Sequence, residues 1–257
     1  MMTVLQAPRG AIDRLRRPLR PGHVLVTLEH LAIVTWPIPE AALRARLPAS
    51  LQPVVRNGHA FVSAALFRNR ALRPAILNVP RMTSFQMNVR SYIVDPVSGE
   101  PDSVFFHGLY LSRRWLVGLS SRLFGVPFRH LPMTVAARLE GDRVARYEAR
   151  STDDRVNVLM HEADHAIDQE VLGLLSNAHT GYVLDRDGVL RCWSIWHRPQ
   201  KVHTMAVNQA AVAPVAALGP GAAGWAFYVH SIDYEVYLPP LAAGGVSPAV
   251  APGARSS

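Results

Sequence analysis

The chain has 257 residues, 49% hydrophobic and 18% charged, a balance that supports a buried core and excludes disorder over most of its length. Its net charge of +8 would raise the question of nucleic acid, but Lys201 is the only lysine and the arginines are scattered from Arg9 to Arg255 instead of forming a basic stripe. The single cysteine, Cys192, excludes an intrachain disulfide, Cys-rich zinc ribbons and iron–sulfur ligation by several cysteines.

Residues 1–22 read as an irregular basic arm ending at Arg20-Pro21-Gly22, without an apolar run long enough for a signal-peptide core, so a cytoplasmic location is expected. His23–Val34, rich in Val, Ile, Leu and Thr, predicts the first strand, and Pro39–Leu47, with Pro ahead of Ala41, Ala42 and Leu43, predicts a short helix. Ala60–Arg68 alternates around Phe61, Ser63, Ala65 and Phe67; Gln86–Val94 follows, and a turn at Asp95–Gly99 leads into Ser103–Leu111. These four strands predict a meander. Trp115–Phe124 predicts a helix apolar on one face; Met133–Leu139 and Arg143–Arg150 predict strands joined by Glu140-Gly141-Asp142, and Arg155–Met160 a third. Asp168–Asn177 predicts a helix, and Leu190–His197 a strand after a turn at Asp185–Gly188. Met205–Val229 has the length of a membrane span, yet Pro214, Gly219, Pro220, Gly221 and Gly224 break it. It predicts a small-residue helix, a turn and then the strand Ala226–Tyr237. Residues 241–257 read as a flexible tail, and nothing divides 23–240, which reads as a single domain. The fold class is α+β, mainly antiparallel β with a few short helices.

Several segments, taken in order, resemble one family. Glu29-His30-Leu31 leading into Thr35-Trp36-Pro37, Leu43 with Leu47-Pro48 and Leu51, Phe67-Arg68, Asn88-Val89-Arg90 with Tyr92, Phe105-Phe106, the run from Leu123 through Gly125, Val126, Pro127, Phe128 and Arg129 to His130, and His197-Arg198-Pro199 are similar in order and spacing to the YqjF-like proteins, domain of unknown function 2071. The resemblance implies the acetoacetate decarboxylase-like superfamily, in which an antiparallel sheet closes into a barrel or cone around a small-molecule pocket. In the decarboxylase, a Gly-Phe-Pro-Lys-Lys segment supplies a Schiff-base lysine. The corresponding residues here are Gly125-Val126-Pro127-Phe128-Arg129, with Phe128 at the lysine position. A guanidinium stays protonated and cannot add to a carbonyl, so Arg129 does not replace the lysine and Schiff-base decarboxylation at this site is excluded. Lys201 falls in a segment that reads as loop.

The same correspondence places Arg90 where the decarboxylase uses a carboxylate. Arg90, Arg129 and Arg68 would then offer bidentate hydrogen bonds to an anionic or carbonyl-bearing ligand. Period-two alternation sets Asn88, Arg90 and Tyr92 on one strand face, and His130 follows Phe128 and Arg129 at the mouth of their own segment. His130 or Tyr92 as proton donor would suit lyase, hydratase or isomerase chemistry. The alternative class is a non-catalytic ligand-binding or sensory module in the same barrel. A structural account of Arg90 is a solvent-facing strand or an ion pair with Glu29. His30, His107 and His230 have no partner in the sequence, and Trp36, Trp115, Phe106 and Phe128 are expected in the core. No cofactor, nucleic acid or membrane is called for, and a homo-oligomer stays open because relatives of this barrel assemble.

A rival signal is His161-Glu162-Ala163-Asp164-His165, which on a helix would set two imidazoles on one face for zinc with the glutamate as base. Helical spacing of Leu159, Ala163, Ala166, Ile167 and Val171 competes with strand alternation of Val156, Val158 and Met160. On a strand the two histidines diverge, and His179 as a third ligand fits no zincin spacing. No metal is therefore assigned. Cys192 shares a strand face with Ser194 and Trp196, and reads as a small core residue.

Overall fold

The computed structural model describes residues 16–76, 81–164, 169–176, 178–198 and 201–243. The order is β1 (Val24–Pro39), α1 (Glu40–Arg44), β2 (Gln52–Pro53), β3 (His59–Pro74), β4 (Met82–Val94), β5 (Ser103–Leu111), α2 (Arg114–Phe124), β6 (Phe128–His130) and β7 (Met133–Glu140). There follow β8 (Arg143–Ser151), β9 (Val156–Glu162), α3 (Gln169–Ser176), β10 (Thr180–Leu184), β11 (Leu190–His197), β12 (His203–Val212), α4 (Ala213–Ala216) and β13 (Trp225–Ala242). Strands β1, β3, β4, β5, β10, β11 and β13 form a closed ring, because β13 pairs with β1 as well as with β11. All of its neighbours are antiparallel except β5 and β10. A second arm of sheet, β12, β9, β8 and β7, grows from β13.

That arm lies over the outside of one barrel wall. Val34 and Trp36 of β1, Val62 and Leu66 of β3 and Met87 and Val89 of β4 pack there against Tyr147, Val158 and Met160. The opposite face of the same strands points into the barrel, through Ile33, Ala65, Phe67 and Tyr92. β1 is covered on both faces here, which is why Leu31–Val34 is apolar at every position. The plug of the barrel interior is α3, whose Val171, Leu172 and Leu175 are buried beside Tyr92. α2 ends at Gly125, which takes a left-handed conformation (φ 65°) and donates its N–H to Ser121 O at 3.1 Å, a cap that glycine adopts without strain.

Two strands change phase. β1 carries a bulge between Glu29 and Ala32 with His30 at φ 52°, so the inward residues switch from Val26 and Leu28 to Leu31 and Ile33. β13 switches beside it, from Phe227 and Val229 to Ile232.

The expected helix at the start of Met205–Val229 is instead β12. Ala206, Ala210 and Ala211 favour helix, but each pairs across to β9, and the tertiary ladder overrides the propensity. The helix in this stretch is only α4, from Ala213 to Ala216. β2, β6 and β10 were not expected from the sequence; β10 is short and includes Gly181. Among the described residues no helix is long and apolar enough to cross a membrane.

Gly181 is needed for a contact that shapes the barrel interior. Phe106 and Trp193 stack with ring centroids 5.3 Å apart and planes at 3°, and a Cβ at Gly181 would lie 2.5 Å from the Phe106 ring. Gly181→Ala is expected to destabilise the fold by about 1–3 kcal/mol, read as a lower urea midpoint.

Candidate functional site

The barrel interior opposite the α3 plug is hollow. The cavity encloses about 610 Å³, within the range of small-molecule sites. Its walls are largely apolar: Val26, Leu28 and Ile33 from β1, Phe106, Leu109 and Leu111 from β5, Ile195 from β11, Val236 and Leu238 from β13, with Trp115, Leu116 and Leu119 of α2 and Phe128 of β6 beside them.

One wall differs. Asn69 of β3 and Gln86, Asn88 and Arg90 of β4 line the cavity as a polar strip, since alternate β4 residues face inward. Asn69 Nδ2 donates to Gln86 Oε1 at 2.7 Å, and Gln86 Nε2 donates to Asn88 Oδ1 at 2.8 Å. The strip ends at Arg90, whose Nη2 donates to Leu175 O of the plug helix at 3.0 Å and lies 3.4 Å from the Tyr92 hydroxyl. Its guanidinium carbon sits 5.5 Å from the Tyr92 ring centroid, and its Nε is buried without a hydrogen-bond partner. Behind Arg90 runs a chain of buried hydroxyls, Tyr92 to Ser63 at 2.9 Å and Ser63 to Thr35 at 2.7 Å, which satisfies these groups internally.

The residues expected to form the site are thus only partly together. Asn88, Arg90 and Phe128 line the cavity. Tyr92 is wholly buried beneath it, next to Arg90. Arg129 is exposed on β6 and does not line the cavity. Arg68 is on the outer surface 3.6 Å from Glu29, which also binds Arg70 at 2.6 Å, so the partners of Glu29 are these two and not Arg90. His130 stands near Ser112, with Nε2 3.2 Å from the Ser112 carbonyl, and is absent from the cavity wall. Phe106, Phe128 and Trp115, expected in the core, line the cavity, whereas Trp36 is buried in the outer core. Lys201 lies 3.9 Å from Asp142, and no lysine lines the cavity.

The His161–His165 segment begins as strand. His161 is exposed on β9 with Nδ1 2.7 Å from Asn208 Oδ1. Glu162 Oε2 accepts from Val144 N at 2.6 Å and stands 3.3 Å from His203 Nδ1. His165 lies outside the described residues, among which no group of three or more His, Cys, Asp or Glu is arranged to hold a metal ion.

Two features at the inner end were not found from the sequence. Tyr234 of β13 lines the cavity, and His197 of β11 is buried against it, with ring centroids 4.8 Å apart. The phase change in β13 hides Tyr234: alternation counted from Phe227 and Val229 puts it on the outside. His197 belonged to the His-Arg-Pro segment, and its signal was a histidine two positions beyond Ile195 on an inward-facing strand.

A closed mixed barrel, plugged at one end by a helix and hollow at the other, is an acetoacetate decarboxylase-like fold. The chain belongs to the DUF2071 family, described as uncharacterized conserved proteins, whose sequence model matches residues 26–231. The acetoacetate decarboxylase of Legionella pneumophila subsp. pneumophila str. Philadelphia 1 aligns with a TM-score of 0.58 at 14% identity over 88% of each chain. An acetoacetate decarboxylase-like enzyme from Sphingomonas wittichii RW1 aligns at 0.56 and 12%, over 87% of this chain and 94% of that one. The enduracididine biosynthesis enzyme MppR with HEPES bound aligns at 0.57 and 12%, over 89% of this chain and 90% of that one. At these identities the likeness is one of fold. No curated protein matches the chain.

Burial sets a pH dependence. His107, hydrogen-bonded through Nε2 to Ser91 Oγ at 3.0 Å, is pushed down to about 4 by burial and then by Arg46. His197 is likewise pushed down to about 4, chiefly by burial. Below their ordinary 6.5 the unfolded chain binds protons that the folded chain refuses, so stability is present above pH 6.5 and falls as pH drops toward 4. Each histidine is expected to contribute a loss of up to about 1.4 kcal/mol per pH unit in that window. Urea titrations at several pH values read this slope, and His107→Gln should flatten it.

Proposed function

We propose that this protein binds a small amphipathic acid or carbonyl compound inside its barrel, with the apolar body along the cavity walls and the polar head at Arg90. The observation that carries this reading is the placement of Arg90 at the end of a polar strip in an otherwise apolar cavity of about 610 Å³. A guanidinium there binds a carboxylate more strongly than in water, because little solvent competes. Arg73 also lines the cavity, but its Nη1 contacts the Ala75 carbonyl at 3.4 Å near the end of β3. Arg68 and Arg129 take no part.

Schiff-base chemistry has no lysine to use, since Phe128 fills the corresponding place on the wall. Binding without turnover is favoured over lyase or isomerase chemistry by the fate of the two expected proton donors. The Tyr92 hydroxyl is buried among Ser63, Leu175 O and Arg90, and His130 is held at Ser112.

Trp115 and Trp193 line the cavity, so intrinsic fluorescence reports its occupancy. Decanoate is expected to bind saturably, and Arg90→Met to weaken it by about tenfold to a hundredfold, the worth of one hydrogen-bonded charge. Decanol, which lacks the charge, should be affected little, which shows that the variant keeps its cavity. Arg129→Ala and Arg68→Ala should leave decanoate binding unchanged. Absence of saturable decanoate binding, or an unaltered affinity in Arg90→Met, overturns the reading.

A further inference from the structure

Exposed apolar side chains and unpaired cations meet where the cavity opens. Trp115 and Leu119 of α2 line the cavity, yet they are 56% and 41% exposed, so the cavity reaches solvent beside this helix. Four positions apart, they are neighbours on the helix surface, and Arg114, Gly118 and Arg122 complete the same exposed face. The opposite face is anchored to the barrel through the buried Leu116 and Ser120. Ile76, 55% exposed, stands two residues beyond Pro74, itself a wall residue. Large apolar side chains grouped at a surface mark contact with another molecule or with a membrane.

The charge around them is of one sign. No Asp or Glu lies between Glu40 and Asp95, or between Asp102 and Glu140. Asp95, Glu100 and Asp102 belong to the connection after β4, at the opposite end of that strand from the wall residue Met82. Arg81, Arg114 and Arg129 stand directly beside Met82, Trp115 and Phe128 of the wall. Their guanidinium groups, and those of Arg113 and Arg122, have no ion pair or hydrogen bond among the described residues. The turn between β10 and β11 carries Asp185 and Asp187, offset by Arg186 and by Arg191, whose Nε is 2.8 Å from Asp185 Oδ2. On the outer arm the arginines are matched instead: Arg146 and Arg150 with Glu148, and Arg155 with Asp153.

We infer that the rim of the cavity docks on an anionic lipid bilayer, with Trp115 and Leu119 entering the headgroup layer and Arg81, Arg113, Arg114, Arg122 and Arg129 meeting lipid phosphates. The contact is peripheral and needs no spanning segment. An indole suits that layer, because one end of the ring is apolar and the other can meet water. A bilayer is favoured over a folded acidic partner by the scale of the apolar group. Trp115, Leu119 and Ile76 are too few for the buried core of a stable protein interface, whereas a membrane takes a few apolar side chains ringed by cations without shape matching. Seated there, the cavity opens onto the leaflet, and an amphipathic ligand passes between the two without crossing water. The docking surface stands on exposure and charge, and does not depend on which group Arg90 holds.

The test is cosedimentation of the full chain with vesicles of phosphatidylcholine, with and without phosphatidylglycerol. Binding is expected with the anionic lipid alone, weakening as salt is raised. Arg113→Gln, Arg114→Gln and Arg122→Gln together should weaken it about a hundredfold, near fivefold for each arginine. Arg56→Gln, Arg143→Gln and Arg155→Gln together remove the same charge from exposed positions away from the rim, and should change it little. Vesicles with brominated acyl chains should quench the native tryptophan fluorescence, and Trp115→Phe should lose most of that quenching. Equal losses in the two triple variants show that scattered charge alone holds the vesicles, and overturn the assignment; so does quenching that survives in Trp115→Phe. Equal affinity of the native chain for both kinds of vesicle overturns it without any variant. A native chain that ignores anionic vesicles but binds heparin through the α2 arginines makes the surface a site for an anionic macromolecule and not for a bilayer.

Discussion

The molecule depends on a single long strand. β13 runs for 18 residues, and a strand has only two edges. One edge is given to β1 from Val24 to Thr35. The other is divided, with β11 along Tyr234–Ala242 and β12 along Ala226–Tyr228. The first pairing and the β11 half close the barrel, and the β12 half starts the arm that covers the wall of β1, β3 and β4. Barrel and cover therefore share one strand, and the arm buries the hydrophobic outer face of the wall. The same division puts the phase change of β13 between its two partners: Ala226 and Tyr228 face the outer core with Phe227 and Val229 facing inward, and beyond the change Ile232 faces inward and Tyr234, Val236 and Leu238 line the cavity.

Much of this was legible in the sequence. Val/Ile/Thr-rich runs with period-two alternation marked β1, β3, β4, β5, β7, β8, β9 and β11, and the resemblance supplied the closed barrel that alternation alone does not specify. What was not legible has physical causes. β12 is rich in alanine, and only its pairing with β9 makes it a strand. Bulges shift the phase of alternation, so counting inward from a strand end fails past His30 in β1 and past Val229 in β13. For the site, Asn88, Arg90 and Phe128 fell on the cavity because β4 keeps one phase from Gln86 to Tyr92. Arg129 alternates with Phe128 and therefore points away. Arg68 lies beside Glu29, a neighbour on β1 that local sequence does not reveal.

The cavity combines two chemistries that the fold keeps apart. Its apolar walls come from several strands and α2, whereas the polar groups come from β3 and β4 on one side and β13 on the other. The polar strip is internally bonded from Asn69 to Asn88, so it neither requires a ligand nor repels one. Beyond Asn88 that bonding stops, and Arg90 Nε is buried without a hydrogen-bond partner.

The floor beneath Arg90 is the C-terminal end of α3, because Leu175 O accepts from its guanidinium. Carbonyls at a helix C-terminus carry a partial negative charge of about half a unit. The guanidinium that faces the cavity is accordingly offset from below by about half its charge, which favours holding it there without a carboxylate partner. The end of α3 thus does from below what a carboxylate counter-ion does for Arg68 and Arg70 on the outer surface, and it leaves the side of Arg90 that lines the cavity open.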